Sequence, residues 1–281
     1  KLASQIMSKN LSKFKSLKEA ISEYVSDGDM IAIEGFTHLI PFAAAHEIIR
    51  QGKTNLTAVR LTPDLVYDQL IGSGCISKVI FSFVGNPGVG SLHRFRDAYL
   101  NNWPKPLEIE EHTHAGLTNR YIAGASGLPF AILRGYSGSD LIKETKNIAF
   151  INSPFSNEQI LAVAAINPDI TIIHAQQADI NGNVMLWGIV GSSKEAIFAA
   201  KKVIVTVEEI VDKFQPQFNS IIIPAVLINC VVLQPNGAWP SYASGYYERD
   251  NDQYIKWDII SKDRESFQEW LQNEIFAKVS L

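Results

Sequence analysis

Residues 172–188 read IIHAQQADINGNVMLWG, an apolar run broken by His174, Gln176, Gln177 and Asp179 and followed by an Asn181-Gly182-Asn183 turn. The preceding residues, 170–173, read as a strand. In an open parallel sheet, ligands bind beyond the carboxyl ends of the strands, so hydrogen-bonding side chains gathered there predict a lined site. The chemistry is expected at strand ends.

The segments on either side have the same organisation. Upstream, residues 17–25 carry apolar side chains at helical spacing, with Ser16 as N-cap, Glu19 three positions on and Asp27-Gly28-Asp29 as the stop. A strand over 30–33 leads to the loop Glu34-Gly35-Phe36-Thr37-His38, and Pro41 opens a helix over 42–51. Strand 56–61, helix 65–71, strand 79–84, the glycine-bearing loop 85–90 and helix 93–100 follow. A Pro-rich stretch precedes strand 107–110 and helix 114–125, and the polar, glycine-containing 135–147 reads as an excursion or lid. Downstream come strand 149–151, helices 157–164 and 194–200, strands 202–207, 221–223 and 225–233, and an amphipathic helix 264–276. Such alternation predicts an α/β fold: an open, mainly parallel sheet with helices on both faces, in one domain with loop insertions over residues 7–281.

With 281 residues, 46% hydrophobic and 19% charged, the chain can bury a large core and is too apolar to be disordered. Its net charge of −4, without a basic block, offers no electrostatic footprint for nucleic acid or an anionic membrane. No run approaches the roughly 20 apolar residues of a membrane span, and residues 7–20 lack a signal-peptide apolar region. Cys75 and Cys230 lie in apolar sequence and read as buried thiols, so a cytoplasmic location is expected. Residues 1–6 precede Met7 and read as an expression remnant.

Several groups are candidates for chemistry. The loop Gly85-Asn86-Pro87-Gly88-Val89-Gly90 could cradle an anion, but it matches neither the dinucleotide nor the Walker A glycine spacing and reads equally as a plain turn. His38, His112, His114 and His174 have no metal-site spacing, so no metal is expected. No G-x-S-x-G supports a serine hydrolase, and hydride transfer lacks its glycine triplet. Glu34 follows a strand and could act as nucleophile or base, or simply cap a helix. Glu110 and Glu111, beside His112, read as an ion pair or as catalytic groups, and Glu208 and Glu209 again follow a strand.

At DGDMIAIEGF (27–36), IIHAQQADINGN (172–183), VIVTVEEIV (203–211) and PNGAWPS (235–241) the chain resembles the A (alpha) subunits of class I coenzyme A transferases, glutaconate CoA-transferase among them. The family signature expects Asp-Gly, an apolar strand and Gly-Gly-Phe; here Glu34 stands for the first of those glycines. The resemblance implies the open sheet of the CoA-transferase (NagB-RpiA-like) type and a homologous B subunit, commonly as two A and two B chains. It also implies a nucleophilic glutamate on that B subunit, with CoA as part of the substrate and no permanently bound cofactor. An acyl-CoA and a small carboxylic acid are the implied ligands. On this reading Gly35, Phe36, Thr37 and His38, then Asn86, Gly88, Gly90 and Ser91, and Glu111 with His112 contribute to the pocket. Gln176 and Gln177 either line it or hold the adjoining turn. A hydrolase branch, which opens a CoA-linked steroid ring and implicates an A-subunit glutamate comparable to Glu111, is the alternative enzyme. A non-catalytic scaffold subunit is the alternative of another class.

Overall fold

A computed structural model describes residues 13–277 except Pro87 and Ser137; residues 1–7, on which the reading of an expression remnant before Met7 falls, lie outside the described residues. The strands β1 (Met30–Ile33), β2 (Leu56–Val59), β3 (Ile76–Phe81) and β4 (Glu108–Glu111) pair in parallel in that order. A separate antiparallel sheet follows, with β5 (Phe130–Leu133), β6 (Ile148–Asn152) and β7 (Gln159–Ala164) in the order β5-β7-β6. The chain then returns through β8 (Ile170–Asp179), which lies parallel to β1 on the side away from β2. A tight hairpin folds β9 (Val184–Trp187) antiparallel onto the far half of β8. Parallel winding continues through β10 (Lys202–Val211) and, after the edge strand β11 (Ser220–Ile223), β12 (Cys230–Leu233).

Winding therefore proceeds from β1 toward β4 in one direction and from β8 toward β12 in the other. The reversal lies between β1 and β8, the topological switch point at which open α/β sheets place their ligands. Side-chain alternation explains the helices on both faces. Ile31, Ile33, Ala58, Val79 and Phe81 face the helices Leu17–Tyr24, Phe42–Arg50 and Leu65–Gly72 and the C-terminal helices, whereas Ala32, Val59 and Ile80 face Leu117 and Tyr121 of His114–Ala125 and Ala196 of Ser193–Ala199. The capping box holds as read: Ser16 Oγ accepts from Glu19 N–H, and Glu19 accepts from Ser16 N–H at 2.9 Å.

Three local expectations are corrected, and one helix was not expected. Residues 157–164 are not a helix: Gln159–Ala164 is the central strand of the small sheet, because a short apolar run satisfies either periodicity and pairing with β5 and β6 decides it. The strands expected to stop at 173 and 207 run on to Asp179 and Val211, so His174, Gln176, Gln177, Glu208 and Glu209 lie within strands rather than beyond them. Pairing of His174 with Thr206 and of Gln177 with Glu209 carries the ladder through this polar stretch. Residues 225–233 divide into a single 3₁₀ turn, Ala225–Leu227, and β12. Finally, Asn251–Lys262 is a helix that the polar sequence 249–262 did not announce; the Asp250 carboxylate caps it by accepting from Gln253 N–H at 3.1 Å.

Candidate functional site

At the switch point β1 ends and the chain passes through Glu34 and Gly35. Gly35 has φ +135°, and a Cβ there would lie 2.7 Å from the Leu39 carbonyl oxygen and 2.8 Å from that of His38. Only glycine lets the loop fold back on itself this closely. Its carbonyl accepts from Arg60 Nη2 at 2.5 Å. Gly35→Ala is accordingly expected to cost about 2–4 kcal/mol, from the left-handed φ and the overpacking together. Urea unfolding checks this, and an unchanged midpoint would refute it.

Arg60 follows β2 and is buried; its guanidinium forks onto Asp64, with both N···O distances 3.1 Å. Burial works against the charge on Arg60, and Asp64, together with Tyr67, Glu34 and Tyr254, more than offsets it. Glu34, only 2% exposed, accepts from the Tyr121 hydroxyl at 2.9 Å. Burial pushes its carboxyl up to about 7 against the opposing pull of Arg60.

Three hollows run along these strand ends. One of about 190 Å³ is lined by Glu34, Gly35, Phe36, Thr62, Gly191 and Ser192. Its neighbour, about 120 Å³, shares Phe36 and Thr62 and adds Thr37, Asn86, Arg60 and Arg249. A more open groove of about 440 Å³ shares Gly85 and Asn86 and extends over Gly88, Gly90 and Ser91. The groove is latched from the C-terminal side, where Asp258 accepts from Ser91 N–H at 2.9 Å and lies 2.8 Å from His93 Nε2. Asn86 also caps the helix Leu65–Gly72, its Oδ1 accepting from Leu65 N–H at 3.0 Å.

Gly35, Phe36, Thr37, Asn86, Gly88, Gly90 and Ser91 thus come together. The remaining candidates lie elsewhere. His38 is fully buried: its Nδ1 lies 2.9 Å from the Ile189 carbonyl and its Nε2 accepts from Ser244 N–H at 2.9 Å, so the neutral ring carries its proton on Nδ1 and ties two loops together. Gln176 bridges the β8–β9 hairpin, donating to the Trp187 carbonyl at 3.1 Å and accepting from Trp187 N–H at 3.2 Å. Gln177 donates to Glu209 at 3.1 Å and to the Tyr246 hydroxyl at 3.3 Å.

At the end of β4, Glu111 is exposed, while His112 is buried between Glu110, at 2.9 Å, and the Tyr136 hydroxyl, at 2.8 Å. One helix links this cluster to the switch point, since Arg120 reaches Glu110 at 2.6 Å and the adjacent Tyr121 reaches Glu34. A second buried pair, His174 and Glu208 at 2.6 Å, is completed by the Tyr247 hydroxyl and Asn236 N–H. Sequence reasoning missed Arg60, Tyr121 and Arg249. Arg60 carried a usable signal, a charge directly after an apolar run as at Glu34, but the strand expected over 56–61 absorbed it.

The pattern of the family described as coenzyme A transferase matches residues 14–234. The A subunit of 3-oxoadipate CoA-transferase from Pseudomonas knackmussii is 59% identical over 94% of this chain and 94% of its own length. Its counterpart in the glutaconate CoA-transferase of Acidaminococcus fermentans is 35% identical over 95% of this chain and 88% of its own. The crystal structure of the Acidaminococcus glutaconate CoA-transferase superposes with a TM-score of 0.85 at 33% identity, covering 95% of this chain and 89% of that one. The chain therefore belongs to the coenzyme A transferase family, as the A subunit of a heteromeric class I enzyme for which CoA is a substrate.

Proposed function

We propose that this chain forms the acyl-binding wall of a transferase that moves CoA between an acyl-CoA and a small dicarboxylic acid of the 3-oxoadipate kind, in an assembly of two A and two B subunits. The relative at 59% identity supports the substrate class. One observation carries the division of labour: of the carboxyl groups lining the two smaller hollows, Glu34 is 2% exposed and tied to Tyr121 and Asp64 is forked by Arg60, so the attacking carboxylate comes from the B subunit.

In this reading the thioester carbon is attacked by a glutamate of the B subunit, which expels CoA thiolate and leaves an acyl-glutamyl anhydride. The thiolate then attacks the glutamyl carbonyl and releases the first acid as a carboxylate. The glutamyl-CoA thioester passes its CoA to the acceptor carboxylate by the same two steps in reverse order. This chain contributes the Thr37 and Thr62 hydroxyls, the turn held open by Gly35 and, from Phe36 and Phe83, apolar cover that excludes water and strengthens the polar contacts beneath. His112, Gln176 and Gln177 hold the surrounding framework. Both cysteines are free and buried thiols, which supports a cytoplasmic setting. Among the described residues no helix is long and apolar enough to cross a membrane.

The test is to treat the reconstituted A/B complex with acyl-CoA, reduce it with borohydride and map the modified residue. Reduction is expected at a B-subunit glutamate. Modification of Glu34 or Glu111 instead would overturn the proposal.

A further inference from the structure

Among the described residues three buried side-chain polar atoms lack a hydrogen-bond partner, and two of them, Arg60 Nε and Arg249 Nε, belong to guanidinium groups lining the same 120 Å³ cavity. Neither Nε is open to water, so each unsatisfied N–H becomes available only when its guanidinium turns toward the cavity, and what meets an incoming acceptor first is the charge of two arginines set against one carboxylate. We propose that this cavity is a carboxylate subsite that receives the distal carboxylate of the substrate, so that Arg60 and Arg249 set a preference for dicarboxylic over monocarboxylic acids. The inference rests on the transferase reading and names the feature that selects its substrate.

Charge, size and position agree. Among the described residues Asp64 is the one carboxylate lining the cavity and it faces two arginines, which leaves an excess of positive charge for a monoanion that Glu34, acting on Arg60, reduces where it is ionised. Both terminal nitrogens of Arg60 are engaged, Nη1 by Asp64 and Nη2 by Asp64 and the Gly35 carbonyl, so Nε is its spare donor. Arg249 stacks on Tyr254, with its guanidinium carbon 4.0 Å from the ring centroid, which orients the plane of its donors. At about 30 Å³ per water the space holds roughly four waters, enough for a carboxylate with a methylene or two and too little for a nucleotide. Because the cavity shares Phe36 and Thr62 with the hollow at Glu34, a short dicarboxylic chain can lie across both.

Arg60 supports the Gly35 turn, so the test uses Arg249. In the reconstituted A/B complex, kcat/KM is measured for adipate and for hexanoate as acceptors of equal carbon count. Arg249→Gln is expected to reduce the adipate-to-hexanoate ratio about tenfold to a hundredfold, mainly through KM, and Arg249→Lys to recover part of it. An unchanged ratio, or equal losses for both acids, overturns the proposal.

Thermal unfolding of the full chain judges the subsite without turnover. Adipate should raise Tm in the wild type and not in Arg249→Gln, and neutral adipamide should not raise it in either. Equal stabilisation of wild type and variant by adipate, or stabilisation by inorganic phosphate and not by adipate, rejects a carboxylate subsite. If the complex transfers CoA to neither acid, the transferase reading fails while the Tm comparison still decides the subsite.

Discussion

Arg120→Met is expected to destabilise the chain by about 3–5 kcal/mol at pH 7, the usual cost of stranding one partner of a buried ion pair. Arg120 Nη1 donates to Glu110 at 2.6 Å and Nε to the Ala164 carbonyl at 2.9 Å, joining the parallel sheet to the small antiparallel one. Asn147 Nδ2, at 2.7 Å, and Lys78 Nζ, at 3.0 Å, remain on Glu110 after the substitution and place the loss toward the lower end of that range.

Burial alone would push the Glu110 carboxyl up, but the His112 hydrogen bond and the Arg120 charge, with Lys78 and Asn147, hold it far below the usual carboxylate range. Stability from a depressed carboxyl is fully present above its unfolded pKa, about 4.3, and fades as pH falls toward the folded value. Urea unfolding should therefore show a wide gap between wild type and variant at pH 7 that narrows by pH 3. Adding Glu110→Gln to Arg120→Met should recover part of the loss, because no buried charge is then left unpaired. A single variant within 1 kcal/mol of wild type would mean that the pair is structurally dispensable.

Glu34→Gln should make the protein more stable than wild type at alkaline pH, reversing the usual effect of altering a buried hydrogen-bonded side chain. The folded carboxyl is pushed up to about 7 from an ordinary 4.5. Between those values the folded state holds more protons than the unfolded one, so the Glu34 contribution is most favourable below about pH 4.5 and falls as pH rises through about 7. The difference corresponds to about 3 kcal/mol.

Glutamine can accept the Tyr121 hydrogen bond as the protonated acid does, and it does not titrate. Between pH 5 and pH 8 the wild type should thus lose about 3 kcal/mol relative to the variant, read from urea midpoints at each pH. Asp68 is also buried and pushed up to about 7, but it titrates in both proteins and cancels from the difference. Parallel pH profiles for the two proteins would show that Glu34 stays ionised in the fold.

Much of the candidate site was legible where a chemical departure coincided with an element boundary. Glu34 and Gly35 follow an apolar strand, and the glycine-bearing loop follows another, so their meeting at the strand ends could be expected from the parallel topology. His38 misled because a histidine in a site loop looks the same whether it faces a ligand or two backbone groups. His174 and Glu208 misled for a related reason. Polar residues normally signal the end of a strand, but here each satisfies the other across the β8–β10 ladder, and the strands continue. Arg249 lies in a polar segment with no periodicity, and its relation to Arg60 spans 189 positions (249 − 60).

Local order and fold class were determined by the sequence itself, because alternating apolar runs, caps and turn residues act over a few positions and leave few ways to bury one face of each element. Gly35 is of this kind, a residue type demanded by the local backbone. What only the tertiary structure decided was which polar groups are spent on one another and which are left over. The Glu34 carboxyl is raised because helix and sheet enclose it, and the guanidinium groups of Arg60 and Arg249 share a cavity because the C-terminal segment folds back over the switch point. Desolvation and hydrogen-bond satisfaction depend on everything that packs around a group, and distant parts of the chain supply that packing.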